Sequence, residues 1–487
     1  MIWNSLFIIW FLLNLVLLFF VIHEFLLVIK VFTARKVSTP QKTQHKEKPT
    51  VTIQLPVYNE KYVIERLLES AISINYPTNK LQIQLLDDST DETTEIIQNF
   101  IKKRKFNCEL EHIRRPDRTG FKAGALSYGL NTAKGEFIAI FDADFIIQQN
   151  FLLETIPHFS NDKIGVVQTK WQHINEDYSL LTRAQAIMLN THFSIEQLGR
   201  SASNAFINFN GTAGVWRKKC IEDAGGWQAD TLTEDLDLSY RAQIKKWRFV
   251  YKFEVGSPAE LPVTFEAFRT QQFRWSKGAA ECVNKNISLL WKSTSSLKQK
   301  ILGTFHLFNS SIYLLLIPLI LFSPVIYYLQ QNNLLSLAYN RELAIIGFIT
   351  SSLLIAIFFI GNLVGQKNKL KRMLWFTPSL FVFFAMTSGI SLFMIKGVIQ
   401  GYFNKKSPFV RTPKFGDSDE LKNKIKKGYD FKKEDRLKVF ESVLMCYGLF
   451  ILTFAFFEKN IVMGVYGAII TLGFALAVLF SKQTFRK

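Results

Sequence analysis

The stretch Phe137-Ile138-Ala139-Ile140-Phe141-Asp142-Ala143-Asp144 decides the fold of the central part of the chain. Its apolar first half predicts a short buried β-strand, and two carboxylates come directly after that strand. In an open α/β sheet, ligands bind at the carboxyl ends of the strands. Asp142 and Asp144 could therefore hold one hard divalent cation, Mg²⁺ or Mn²⁺, although solvated turn acids are the ordinary alternative.

Other strands and helices alternate around this stretch. The predicted strands are Thr50–Leu55 and Leu81–Leu86, and the predicted helices are Glu60–Ile74, Asp91–Lys103 and Ala123–Thr132. This alternation predicts an α/β fold with a parallel, doubly wound sheet. Asp87 and Asp88 follow the second strand, so we expect them at the same edge of the sheet as Asp142 and Asp144. A strand end with a helix N-cap is the alternative interpretation of the first pair.

The composition narrows the class of protein. The chain has 487 residues and a formal net charge of +19, and its mean hydropathy of +0.11 is high for a soluble protein. Such a basic chain suits a nucleic acid or an anionic membrane surface, but no nucleic-acid recognition motif is present, so membrane lipids are the expected partner. The four cysteines are scattered, which excludes a disulfide scaffold or a zinc finger.

Long runs without Asp, Glu, Lys or Arg flank a globular segment. We predict a transmembrane helix at 1–30, a cytosolic domain at 31–300 with interfacial helices at its end, and transmembrane helices at about 302–329 and 343–366. Two further transmembrane helices are expected within 439–481. The segment 401–438 holds twelve basic and six acidic residues and is expected to be a cytosolic loop on anionic lipid. Because basic residues mark the cytoplasmic side, the N-terminus should lie outside and the globular domain inside.

The apolar run 373–397 is a special case. If it crossed the membrane fully, the basic segment 401–438 would lie outside, against the charge rule. Thr377, Pro378 and Gly389 also weaken it as a simple span. We therefore expect a re-entrant or interfacial helix here, and the alternative is a true sixth span with an atypical outside loop.

Two polar patterns in the globular segment supply further candidates. Lys122 stands beside a predicted helix start among small residues, so its ammonium could reach a diphosphate, unless it is an ordinary exposed lysine. Phe209-Asn210-Gly211-Thr212 is a polar turn that could line a binding groove, or an ordinary turn.

Acidic residues open the next predicted helix. Thr233 would cap it, and Glu234 and Asp235 would lie at its positive end. Capping explains the composition, but a carboxylate here could also act as general base toward a hydroxyl.

A fourth motif, Gln271-x-x-Arg274-Trp275, combines an amide, a cation and a flat apolar face. Tryptophan is a common surface for stacking sugars, and arginine suits phosphate. The alternative is a basic interfacial helix before a membrane span.

Together these motifs resemble those of processive family 2 glycosyltransferases, which include cellulose, chitin and hyaluronan synthases. The wording is most similar to that of the plant cellulose-synthase-like mannan and glucan synthases, through the phrases QLPVYNE, LLDDSTDET, FKAGAL, IFDADF, FNGTAGVWR, AGGW and QQFRWSKG. The resemblance is dense over about residues 50–290. It implies a nucleotide-sugar-binding GT-A, Rossmann-like cytosolic domain inserted in an α-helical transmembrane unit.

The resemblance implies a role for each candidate residue. The catalytic set would be Asp235, as base, and Glu234. Donor and nucleotide binding would fall to Asp87, Asp88, Lys122, Asp142, Gln271 and Arg274. The acceptor would be held by Phe209, Asn210, Gly211, Thr212 and Trp275, and the metal by Asp142 and Asp144.

A later segment resembles the F-x-V-T-x-K gating loop of bacterial cellulose synthase. It reads Phe409-Val410-Arg411-Thr412-Pro413-Lys414, and Arg411 stands where that motif has Val. Phe409, Thr412 and Lys414 are therefore the candidate gating residues.

The expected function is an inverting hexosyltransferase that polymerises a β-linked, expected β-1,4, polysaccharide from UDP-glucose or GDP-mannose and translocates the growing chain. One base with in-line attack fits inversion better than the carboxylate pair of glycosidases. Two alternatives remain: a non-processive transferase that moves one sugar to a lipid acceptor, and a transporter or receptor with a basic cytosolic domain.

Overall fold

A computed structural model of the chain describes residues 2–34, 47–336, 340–407, 411–412, 414 and 435–480. Seven strands are present within these ranges: β1 Val51–Val57, β2 Leu81–Asp87, β3 Glu109–Ile113, β4 Phe137–Ile140, β5 Ile164–His173, β6 Gly214–Arg217 and β7 Arg248–Ala259.

The helices between these strands are α2 Ile64–Ile72, α3 Thr93–Lys102, α4 Phe121–Leu130, α5 Phe151–Thr155, α6 Leu180–Thr191, α7 Leu198–Ala202, α8 Lys218–Asp223 and α9 Glu234–Ile244. A π-helix, His192–Gln197, joins α6 to α7. The remaining helices are α1 Ile2–Ala34, α10 Phe265–Lys292, α11 Leu297–Phe308, α12 Tyr313–Gln331, α13 Asn340–Leu363, α14 Lys369–Tyr402, α15 Asp435–Phe457 and α16 Ile461–Phe480. We call β1 to α10 the α/β domain.

The strands form one mixed sheet in the order β3-β2-β1-β4-β6-β5-β7. The α/β class is confirmed, but the prediction of a wholly parallel sheet was wrong at β6, which runs antiparallel to both β4 and β5. The reason lies in the turn before β6. The 209–212 turn lies at the carboxyl edge of β4, so the chain can only leave that edge in the reverse direction.

Apolar and polar residues alternate along β1, so its side chains point to opposite faces of the sheet. Val51, Ile53 and Leu55 are buried in the apolar core beneath α2 and α3. On the opposite face, Thr52 donates its hydroxyl to Gln82 across the β1–β2 pair at 2.7 Å. Because buried polar groups need partners, such cross-strand bonds hold the register that brings the two strand ends level.

Six helices outside the sheet are long and apolar enough to cross a membrane by length and composition within the described ranges. They are Ile2–Thr33, Leu297–Gln331, Glu342–Leu363, Lys369–Tyr402, Leu437–Phe457 and Ile461–Phe480. The predicted run 373–397 thus lies within one continuous helix, α14, of 34 residues.

Both ends of α14 contact the α/β domain. Near its start, Arg372 donates two hydrogen bonds, each of 2.8 Å, to Glu176. Near its end, Gly401 lies against the backbone of Lys277 on α10, so closely that a Cβ atom there would come within 2.5 Å of the Lys277 carbonyl oxygen. The helix therefore runs along the α/β domain rather than away from it.

Candidate active site

A cavity of about 230 Å³ opens at the carboxyl edge of the sheet. Its walls come from the ends of β1, β4, β5 and β7, from the starts of α4 and α9, and from α10. Arg411, Thr412 and Lys414 also line it. The sequence-predicted residues that line it are Asp88, Lys122, Asp142, Asp144, Asn210, Gly211, Glu234, Asp235, Gln271, Arg274, Trp275, Thr412 and Lys414.

Asp142 and Asp144 follow β4 and meet two lysines. Lys122 donates to Oδ1 of Asp142 at 2.5 Å and to the carbonyl of Gly211 at 2.9 Å. Asp144 is 5% exposed, and its Oδ2 pairs with Lys414. The other oxygen of Asp144, Oδ1, is buried without a hydrogen-bond partner in the described structure. An unpartnered buried carboxylate oxygen is costly unless a cation or donor satisfies it.

Lys122 is charged in this environment. Burial alone would lower the pKa of its ammonium, but the carboxylates of Asp142, Glu234 and Asp235 outweigh burial and raise the pKa above its usual value. Its position comes from the turn before α4, where Gly120 adopts a left-handed φ of +73°. The lysine is thus fixed between the β4 and α9 carboxylates.

The two aspartates after β2 differ in placement. Asp87 is 1% exposed and accepts hydrogen bonds from Ser89 N at 2.8 Å and Thr94 Oγ1 at 2.8 Å, and its Oδ2 lies 3.0 Å from His112 Nε2. Burial would raise the pKa of Asp87, but the bonds to His112 and Ser89 outweigh burial and lower it. Asp87 does not line the cavity, so its placement fits a buried support for the strand end rather than direct contact with a nucleotide.

Asp88 lines the cavity as part of an ion pair. Arg115 donates from Nε and Nη2 to the two carboxylate oxygens, at 2.8 and 2.6 Å. Arg115 also donates to the carbonyl of Phe121 at 2.7 Å. This bidentate arrangement fixes the orientation of the carboxylate at the cavity wall.

Glu234 and Asp235 begin α9 at the floor of the cavity. Burial first, and then the Glu234 carboxylate, raise the pKa of Asp235 to about 7. Burial also raises the pKa of Glu234. Thr233 occupies the N-cap position as predicted, but its side chain does not cap the helix and lies 3.4 Å from the sulfur of Cys282. A carboxyl with a pKa near neutrality suits a general base.

Two residues of the 209–212 turn line the cavity, and the other two are buried behind it. Asn210 and Gly211 line the cavity, but the ring of Phe209 is fully buried and packs edge-to-face on Trp216 with centroids 5.4 Å apart. Phe209 was expected among the acceptor-binding residues, but its ring belongs to the core and does not line the cavity. Thr212 is also buried, and its hydroxyl accepts a 2.9 Å hydrogen bond from the backbone N–H of Asp142.

Helix α10 supplies the opposite wall. Gln271, Arg274 and Trp275 lie on one face of this helix, at the i, i+3 and i+4 spacing that places side chains together. Arg274 donates from Nη2 to the hydroxyl of Thr412 at 2.8 Å. Burial lowers the pKa of Arg274 to about 10, which leaves the guanidinium charged at neutral pH.

The segment expected to be a gating loop contacts the cavity through three described residues. Thr412 bonds Arg274, and Lys414 pairs with Asp144. Phe409 lies outside the described residues. Arg411, which departs from the motif, donates from Nε and Nη2 to Glu60 at 2.9 and 2.6 Å.

Sequence reasoning missed several residues of the cavity wall. These are Tyr58, Glu60, Arg118, Trp171, His173 and Glu260. Arg118 stacks on Tyr58, with 3.4 Å between the guanidinium carbon and the ring centroid. Tyr58 and Glu60 stand in the QLPVYNE phrase immediately after β1, so the strand-end rule that selected Asp142 could have found them.

Comparison with known proteins agrees with this geometry. Residues 49–278 match the model of the family described as Glycosyltransferase like family 2. The chain is 38% identical over 301 residues to glucomannan 4-beta-mannosyltransferase 1 of Oryza sativa subsp. japonica, covering 57% of this chain and 56% of that protein. It is 42% identical over 255 residues to glucomannan 4-beta-mannosyltransferase 1 of Cyamopsis tetragonoloba, covering 50% and 48%. The chain thus spans about half the length of the curated relatives it matches.

A solved structure shares the fold. It is a mannosyltransferase from Pyrobaculum calidifontis in complex with GDP-Man and Mn²⁺, with a TM-score of 0.56 and 16% identity over 82% of this chain and 100% of that one. This likeness shows a common GT-A arrangement of the α/β domain, and the family match adds the sequence relationship. Residues 49–278 therefore form a domain of glycosyltransferase family 2.

Proposed function

We propose that this protein is a membrane-embedded inverting hexosyltransferase that builds a β-1,4-linked polysaccharide from a nucleotide sugar. The observation that carries the proposal is Asp235, a half-buried carboxyl that lies in one cavity with Lys122 and Arg274 and whose pKa is raised to about 7 by desolvation and the Glu234 carboxylate. A base, two cations and a cavity at the strand ends are what transfer from a nucleoside diphosphate requires.

In this proposal, one group of residues activates the acceptor hydroxyl and another stabilises the leaving diphosphate. Asp235 accepts the proton of the acceptor hydroxyl as its oxygen attacks the anomeric carbon of the donor. The bond from that carbon to the diphosphate breaks, and Lys122 and Arg274 stabilise the negative charge on the leaving group. Attack from the side opposite the leaving group converts an α-linked donor into a β-glycosidic bond.

The donor is GDP-mannose in this proposal, with UDP-glucose as the second sugar to test. The support is that the relatives above are named glucomannan 4-beta-mannosyltransferases and match the part of the chain that forms the cavity. The cationic wall formed by Lys122, Arg118 and Arg274 suits the diphosphate of either donor.

The carboxylates after β4 fit a divalent metal. Asp144 offers a buried, unpartnered Oδ1, and Asp142 is partly exposed to the cavity. No cluster of three metal-ligating side chains occurs in the described ranges, which suits Mg²⁺ or Mn²⁺, because these ions often use one or two carboxylates and take other ligands from phosphates and water. Such an ion, held by Asp142 and Asp144, would neutralise charge on the diphosphate.

The membrane helices support export of the product. With basic residues on the cytoplasmic side, α1 begins outside and the α/β domain lies in the cytoplasm. The contacts of α14 with the α/β domain at both ends favour an interfacial position over a full crossing. Five crossings then place the N-terminus and the C-terminal end of α16 on opposite sides, and a polymer made in the cytoplasm would leave between the helices.

The test uses membranes that contain the full chain, incubated with radiolabelled GDP-mannose or UDP-glucose. We expect an alcohol-insoluble product that an endo-β-1,4-mannanase degrades, and its loss by at least about 100-fold in Asp235→Asn, since a general base contributes about 10² to 10⁴-fold. Glu95→Gln, at an exposed carboxylate on α3, is the matched control. Label found only in single-sugar lipid would contradict polymerisation, and no transfer from either donor would contradict the proposed donor class.

A further inference from the structure

A continuous series of polar contacts links the first membrane helix to the cavity wall. Arg200, on α7, lies with Nη2 3.6 Å from Oε1 of Glu24 on α1 and 3.1 Å from Oε2 of Glu196 on the π-helix. The same Oε2 lies 3.0 Å from Nδ1 of His192, and Nε2 of His192 lies 3.1 Å from Oδ1 of Asn210. We call Glu24, Arg200, Glu196 and His192 the relay.

The relay ends on the side-chain amide of Asn210. Oδ1 of Asn210 accepts a 2.7 Å hydrogen bond from Asn208 Nδ2 and faces Nε2 of His192, and the Asn210 backbone N–H donates to Gln168 at 3.0 Å. Nδ2 of Asn210 is buried without a hydrogen-bond partner in the described structure, although the residue lines the cavity. Because a buried amide N–H without an acceptor is costly, Nδ2 favours a neighbouring acceptor oxygen such as that of a sugar hydroxyl.

Burying the charged side chains of the relay costs free energy unless they are paired. Arg200 is fully buried, and Glu196 has 18% side-chain exposure. Burial would raise the pKa of Glu196, but His192 and Arg200 outweigh burial and lower it, so the carboxylate stays charged. Glu196 and His192 also lie in a π-helix. This conformation is rare in proteins overall, and where it occurs it is often at a functional site. A buried charge needs a partner, so Glu24 and Glu196 together hold Arg200 in place.

We propose that the relay is a positioning device that holds the Asn210 amide with its N–H toward a hydroxyl of the acceptor sugar. Glu24, Arg200, Glu196 and His192 are positioning residues, because they act through Asn210 and do not line the cavity. The inference rests on the proposed function, since it assigns the acceptor side of that same reaction. It also gives the first membrane helix a part in orienting the acceptor.

Variants of the relay should therefore lower transfer to the acceptor sugar without lowering hydrolysis of the donor. Water needs no oriented hydroxyl, so loss of the relay impairs attack by the acceptor sugar and leaves slow donor hydrolysis and donor binding intact. A defect in folding would instead lower all three quantities together.

The test compares Glu196→Gln, Asn210→Ala and their double variant in the purified full chain. With radiolabelled GDP-mannose, polymer formed and free mannose released are counted separately, and GDP-mannose affinity is measured by calorimetry. We expect each single variant to lose about tenfold in transfer, as for a lost hydrogen bond, with hydrolysis and affinity within about twofold. The double variant should be no worse than Asn210→Ala, because the two residues act in series. Glu24→Asp should recover part of the transfer that Glu24→Gln loses.

The matched control is Glu441→Gln. Glu441, on α15, accepts a 2.7 Å hydrogen bond from Arg269 on α10, and both side chains are at most 6% exposed. The Glu441→Gln variant disrupts a comparable buried ion pair between a membrane helix and the α/β domain, and this pair does not contact Asn210. The proposal is overturned if Glu441→Gln shows the same selective loss of transfer, or if Glu196→Gln lowers transfer, hydrolysis and affinity in parallel. A wild-type chain that neither binds nor uses GDP-mannose or UDP-glucose would overturn the proposed function and this inference with it.

Discussion

Gly211 lies so close to Asp235 that a Cβ atom at position 211 would come within 3.1 Å of Asp235 Oδ2. It would also stand 3.6 Å from Lys122 Nζ, and the backbone φ of Gly211 is +77°. The turn therefore needs glycine for its conformation and for the approach of the carboxylate. We expect Gly211→Ala to lower transfer at least tenfold by displacing the base, on top of roughly 1–2 kcal/mol of backbone strain, measured with radiolabelled donor.

The matched control for this variant is Gly226→Ala. Gly226 has a similar φ of +70°, but a Cβ atom there would meet nothing within 4 Å. It therefore reports the backbone strain alone. Equal losses of activity in the two variants would show that contact with Asp235 is irrelevant.

The pH dependence of transfer should report Asp235. Because burial and the Glu234 carboxylate raise its pKa to about 7, the base is half protonated near neutrality, and kcat/KM should rise with pH up to that point. Glu234→Gln removes one of the two causes, so the acid limb should move to lower pH. Rate profiles over pH 5.5–9 would check this, and an unmoved limb in Glu234→Gln would contradict the assignment.

The same raised pKa predicts that the stability of the folded protein falls as pH rises, whereas the transfer rate rises. The folded state holds the Asp235 proton more tightly than the unfolded chain, whose ordinary pKa is 3.8. This contribution is complete below about pH 3.8 and is lost as pH rises through about 7. Asp235→Asn is neutral at all these values, so its Tm relative to wild type should increase between pH 5 and pH 8. A constant difference in Tm would contradict a raised pKa.

Much of the site follows from strand ends, and the remainder depends on distant chain segments. Asp88, Asp142 and Asp235 follow predicted strands or open a predicted helix, so local pattern and resemblance were enough to select them. The burial of Phe209 depends on the packing of its ring against Trp216 and the surrounding core cluster, which the local sequence pattern does not show. The antiparallel direction of β6 likewise depends on where its preceding turn lies. The pair of Glu60 with Arg411 joins positions 351 residues apart, a separation at which sequence spacing carries no information.

Lys414 and a divalent ion should compete for Asp144. The ammonium of Lys414 pairs with Oδ2 of the same carboxylate whose Oδ1 is unpartnered. We expect Lys414→Gln to lower the Mn²⁺ concentration that half-saturates binding in the presence of GDP, measured by electron paramagnetic resonance. Lys134→Gln, which removes an exposed lysine paired with Glu109, is the control. Unchanged or weaker Mn²⁺ binding in Lys414→Gln would contradict competition at Asp144.

The contact of α14 with α16 predicts how the membrane helices support the cavity. A Cβ atom at Gly389 would lie 2.1 Å from the carbonyl oxygen of Gly473, so backbone would have to move, whereas one at Gly464 would meet only Ala455, at 3.9 Å. We expect Gly389→Ala to cost about 1–3 kcal/mol by overpacking and Gly464→Ala to be nearly neutral, as measured by thermal unfolding in one detergent. Because α14 leads toward the residues that contact Arg274 and Asp144, transfer should fall with Gly389→Ala as well. If the two variants unfold at the same temperature, the close packing of α14 on α16 is not what holds this helix in place.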